Sequence, residues 1–143
     1  MSKKFQIAVG SLIAAGFAFS SAFAAETKLK AALSGAQEVP ANTTAGKGMA
    51  EITVNDTTKE VSWNVTFEGL TGDAVAAHIH GPAAAGANAG VLVNFGAGPL
   101  KSPVTGKATA TDAQIADILA GRAYVNVHTA ANKGGEIRGQ LAK

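Results

Sequence analysis

Hydrophobic and polar residues alternate along most of this chain, and the alternation predicts short strands. Over residues 61–67 the pattern is strict. Val61, Trp63, Val65 and Phe67 share one face, and Ser62, Asn64 and Thr66 share the other. Residues 27–33 repeat it, with Leu29, Ala31 and Leu33 set against Lys28, Lys30 and Ala32, and residues 48–54 turn Ala50, Ile52 and Val54 inward. Such alternation belongs to antiparallel sheet with one face in water. Further strands are predicted at 74–80, 91–95, 104–110, 123–129 and 136–141. Turn-forming residues separate them at 55–59, 69–73, 81–90, 96–99 and 134–135. Two pairs, 48–54 with 61–67 and 123–129 with 136–141, are expected to form hairpins.

One segment changes period. Thr111-Asp112-Ala113-Gln114 reads as a helix start, Ile115, Ile118 and Leu119 recur at helical spacing, and Gly121 is a stop. A short helix is therefore predicted near 112–120. About eight strands with frequent turns and one helix give an all-β, antiparallel Greek-key sandwich or barrel. The single Trp, Trp63, is expected in the core between two sheets.

The first residues follow another logic. Lys3 and Lys4 precede a mostly apolar run over 5–19, and Ala22-Phe23-Ala24 is a small-x-small cleavage site. This pattern predicts a secretory signal at 1–24 and a domain at 25–143, periplasmic or secreted, without a transmembrane anchor after cleavage. The remaining 119 residues suit one core. The formal net charge of +2 comes from the two signal lysines, leaving 10 basic and 10 acidic residues with no basic cluster. A nucleic-acid partner is not expected from that balance. The absence of cysteine removes disulfides, thiolate metal sites and thiol catalysis.

Candidate chemistry rests on three histidines, the only ones in the chain. His78 and His80 stand in Ala77-His78-Ile79-His80-Gly81-Pro82, so in a strand both point the same way, with Cα atoms roughly 6.5 Å apart. His128 shares the polar face of its own strand with Tyr124 and Asn126, opposite Val125 and Val127. Three imidazoles suit one divalent transition ion, copper(II) or zinc, and Met49 is the only methionine after residue 24, which disfavours copper(I). Asn126, Glu136 and Arg138 are the candidate supporting residues, as ring N–H acceptors or as members of a polar packing cluster. In that second case Glu136 and Arg138 would make an ordinary ion contact. No serine lies in a Gly-x-Ser-x-Gly context, and the glycine-rich stretch 86–98 lacks a phosphate-loop ending, so no catalytic residue is assigned.

Four stretches together resemble the CHRD family, the domain named for chordin. They are Ser34-Gly35-Ala36-Gln37-Glu38-Val39-Pro40, Ala77-His78-Ile79-His80-Gly81-Pro82-Ala83, Ala123-Tyr124-Val125-Asn126-Val127-His128-Thr129 and Gly134-Gly135-Glu136-Ile137-Arg138-Gly139-Gln140-Leu141. The resemblance implies an exported β-rich domain, with an immunoglobulin-like or copper-zinc superoxide-dismutase-like fold. It implies no particular activity. Three histidines cannot build a four-histidine copper site plus a zinc site, and fold likeness alone carries no chemistry, so dismutase activity is not expected. Three readings follow: a non-catalytic module binding a metal ion through His78, His80 and His128; a structural, adhesion or interaction domain for an extracytoplasmic protein partner; and a metal-assisted enzyme.

Overall fold

The computed structural model describes residues 25–143, and the expected signal segment lies outside the described residues. The alternating segments become eight strands: β1 (Glu26–Ser34), β2 (Lys47–Asn55), β3 (Glu60–Glu68), β4 (Ala74–His80), β5 (Val91–Leu100), β6 (Val104–Thr109), β7 (Tyr124–Thr129) and β8 (Ile137–Gln140). They pair antiparallel in one sheet ordered β5-β4-β7-β8-β1-β2-β3-β6. The sheet curls until its end strands, β5 and β6, meet, giving a nearly closed barrel. Among the described residues no helix is long and apolar enough to cross a membrane.

Register aligns the apolar faces. Leu29 stands opposite Ile52, Ile52 opposite Trp63, and Trp63 opposite Gly106, forming one row across four strands. Any Cβ at Gly106 would sit 2.6 Å from Trp63 Cζ2, so glycine there makes room for the indole. Trp63 is buried and stacks on Phe95 with centroids 4.5 Å apart, which ties β3 to β5. The expectation of two facing sheets is thus replaced by the interior of one curled sheet.

A second correction concerns 96–99, read as a break. β5 runs through it to Leu100, paired to β4 with register shifts. Glycine and proline are tolerated there because β5 ends the sheet and bulges absorb the irregularity. The short helix, α1 (Asp112–Leu119), has the expected cap: Thr111 Oγ1 accepts from Gln114 N–H, and Thr111 N–H donates to Gln114 Oε1. Ile115 and Ile118 are buried, and Gln114 Nε2 donates to Leu92 O, pinning α1 to β5.

Opposite faces of the barrel wall differ. β1, β2, β3 and β6 show water a row of exposed ion pairs, such as Lys30–Glu51 and Lys107–Glu60, which contribute little to stability. The outer face of β4, β7 and β8 is instead roofed by segments 35–46 and 81–90. Glu38 and Thr44 of the first, and Ala87 and Asn88 of the second, bond to side chains of β7, β8 and the loop joining them.

Candidate metal centre

β4 and β7 lie side by side, with His78 opposite Asn126, His80 opposite Tyr124, and His128 opposite Ala76. His78 and His80 share a face, as the two-residue period requires, while Ile79 is fully buried on the other. The small side chain of Ala76 leaves the His128 ring free to lean toward His78. Ring centroids stand 5.0 Å apart for His78 and His128, 5.3 Å for His78 and His80, and 5.8 Å for His80 and His128. One nitrogen from each ring lies within 4.8 Å of the other two. Three such atoms sit within about 2.8 Å of a common centre, so each ring would draw in by up to about 0.7 Å to reach the 2.0–2.1 Å of a zinc–nitrogen bond.

Hydrogen bonding assigns the tautomers. His80 Nδ1 lies 3.0 Å from Ala89 O and His128 Nδ1 lies 2.9 Å from Lys133 O. A carbonyl only accepts, so both Nδ1 atoms carry the proton and both Nε2 atoms hold lone pairs. His128 Nε2 accepts from His78 Nδ1–H at 3.1 Å. That separation is near the roughly 3.3 Å between two nitrogens on a tetrahedral ion, so an ion can replace the shared proton once His78 shifts its proton to Nε2. His80 Nε2 is buried with no hydrogen-bond partner.

All three rings are held neutral. Burial pushes His78 down to about 4, helped by the positive charge that His128 and His80 would carry. Burial also lowers His80 and His128, outweighing the opposing bonds to Ala89 O and Lys133 O. Neutral imidazole is the form that ligates a metal.

The expected supporting residues have other partners. Asn126 Nδ2 donates to Glu38 Oε1 and Ile137 O, and neither Asn126 nor Glu136 holds a ring N–H. Backbone carbonyls do that instead. Arg138 is buried, its Cζ 3.4 Å from the centroid of Tyr124, with Nη1 donating to Asn88 Oδ1 and Nη2 to Ala87 O. Tyr124 in turn stacks on His80, centroids 5.0 Å apart and planes 5° from parallel. Burial raises Glu38 to about 7, against the charge of Arg138 and the bond from Asn126.

Glu136 is fully buried and makes no ion pair with Arg138. Its Oε1 accepts from Thr44 Oγ1 (2.6 Å) and Thr71 N (2.8 Å). Its Oε2 accepts from Thr71 Oγ1 (2.7 Å), Thr129 Oγ1 (2.6 Å) and Asn132 Nδ2 (3.2 Å). Burial alone would raise this carboxyl, but the donors from Thr129, Thr44 and Thr71 outweigh it and hold it at about 2. Glu136 therefore knots three loops to the end of β7. Glu38, Thr44, Thr71, Ala89, Tyr124 and Lys133 were not expected to take part; the threonines near strand ends were the available signal.

Three grooves, around Met49, Arg138 and Leu100, have linings that include none of the three histidines. The three imidazoles are each half-buried, so the centre is partly open. A family model described as the CHRD domain matches residues 29–141. Neither the curated proteins nor the solved structures gave a match.

Proposed function

The chain belongs to the CHRD family, and we propose that it is an exported, non-catalytic binding module that holds one divalent transition ion on His78, His80 and His128. The observation that carries this reading is the convergence of three neutral imidazoles around a buried, unpartnered His80 Nε2. A buried acceptor without a partner is costly, and a cation relieves that cost. Copper(II) is favoured by intrinsic affinity and zinc by geometry. Carbonyl-held Nδ1–H groups support the reading, since metal-bound histidines commonly anchor their second nitrogen in this way.

Three protein ligands leave one position for water, so metal-assisted hydrolysis is chemically accessible. The two buried carboxyls of this face are engaged elsewhere: Glu136 accepts five hydrogen bonds and Glu38 accepts from Asn126. Binding is therefore preferred to catalysis. A second reading, that the histidines are part of a polar packing cluster in an interaction domain, draws on the existing His78–His128 hydrogen bond. Calorimetric titration of the purified protein with copper(II) and zinc separates the two. The metal reading expects one ion per chain with Kd below about 10 μM, lost in His80→Ala and His128→Ala. Equal behaviour of wild type and both variants would leave only the packing role.

A further inference from the structure

We propose that Tyr124 is a positioning residue of this centre, fixing the plane of the His80 ring so that Nε2 faces His78 and His128. The inference rests on the metal reading above. An imidazole on a strand keeps freedom about χ2, and a half-turn puts Cδ2 and Cε1 where Nδ1 and Nε2 stood. Two contacts remove that freedom here. His80 Nδ1–H donates to Ala89 O at 3.0 Å, and the Tyr124 ring lies parallel to the imidazole within 5°.

Tyr124 is itself clamped. β7 lies between β4 and β8, so its ring has His80 on the β4 side and Arg138 on the β8 side, with the guanidinium carbon 3.4 Å from the ring centroid. A cation on one face of an aromatic ring anchors it without filling space elsewhere. The Tyr124 hydroxyl accepts from Ala89 N–H at 3.1 Å. One peptide group, that of Ala89, thereby engages both rings: its carbonyl takes the imidazole proton and its N–H holds the phenol. The two preceding residues take the third layer, Arg138 donating to Ala87 O at 2.6 Å and to Asn88 Oδ1 at 2.9 Å. Three consecutive loop residues thus grip a guanidinium–phenol–imidazole stack whose last member presents the unpartnered nitrogen. A side chain serving only to fill space would need neither the shared peptide nor the parallel ring.

The test compares wild type, Tyr124→Phe and Tyr124→Leu by two readouts: copper(II) affinity, and the ¹⁵N shifts of His80 in metal-free protein, which report its tautomer. Wild type is expected to show one Nδ1–H tautomer. Tyr124→Phe keeps the stack and should bind copper(II) within about threefold of wild type. Tyr124→Leu should bind roughly 10- to 100-fold more weakly, the usual cost of losing a residue that orients a ligand, and show mixed His80 tautomers. A folded Tyr124→Leu with wild-type affinity and a single tautomer overturns the proposal. If Tyr124→Leu does not fold, a tenfold loss in Tyr124→Phe overturns it and retention within threefold supports it. Should wild type bind no copper(II), the metal reading fails by itself, and the tautomer comparison still decides whether Tyr124 sets the ring.

Discussion

His128 stands opposite Ala76 in the β4–β7 register, two pairs from His78, and its Nε2 lies 3.1 Å from His78 Nδ1. This diagonal approach, between residues 50 apart in sequence, joins the His78–His80 pair to a third ring. It depends on the register of two central strands, which the apolar faces of both strands enforce: a one-residue slip would turn Val125 and Val127 out of the core.

Trp63→Ala is expected to destabilise the protein by about 3–5 kcal/mol, the usual range for losing a large buried aromatic. Denaturant unfolding measures it. A loss under about 1 kcal/mol would mean that the Trp63–Phe95 contact does not hold the barrel closed.

Glu136 gives a signed acid dependence. Its carboxyl is held at about 2, below the ordinary 4.5, so the unfolded chain binds the proton more readily. The stabilisation is full above pH 4.5 and is lost as pH falls through about 2. It amounts to roughly 3 kcal/mol for this shift. Unfolding of wild type and Glu136→Gln, followed from pH 5 to pH 2, should show the gap between them closing. A gap that stays constant contradicts the assignment.

Glu38 should act with the opposite sign. Burial raises it to about 7, so between pH 4.5 and 7 the folded protein holds a proton that the unfolded chain has released. That term makes stability fall as pH rises through this window. The histidines, with lowered values, add a term that rises with pH below about 6.5, so the test is the difference between wild type and Glu38→Gln. Glu38→Gln should gain on wild type by roughly 2–3 kcal/mol between pH 4.5 and 8. Parallel profiles would place Glu38 in water rather than beneath its loop.

Much of this architecture was legible from local pattern. Strict alternation over 61–67 placed Trp63 inward, and the Thr111–Gln114 spacing located the helix cap. The two-residue period alone put His78 and His80 on one face. What escaped were contacts between loops and sheet, which have no period. Glu38 meets Asn126 across 88 positions, and Thr44 meets Glu136 across 92. Gly135 illustrates the difference. It reads as a turn glycine, and its φ of +129° agrees, yet a Cβ there would also collide with Asn126 Nδ2 and Glu38 Oε1. Nothing nearby in the chain announces that second constraint. Asn126 and Glu136 find partners in loops, and the backbone carbonyls of Ala89 and Lys133 take the ring protons.

The central claim is that His78, His80 and His128 jointly hold one ion, and X-ray absorption of the zinc-loaded protein tests it most directly. The account predicts three nitrogen neighbours at about 2.0–2.1 Å, with the outer-shell scattering of imidazole rings, plus one light-atom ligand. His128→Ala should then lose one imidazole from that shell. An oxygen-only shell, or an unchanged imidazole count in His128→Ala, would contradict it.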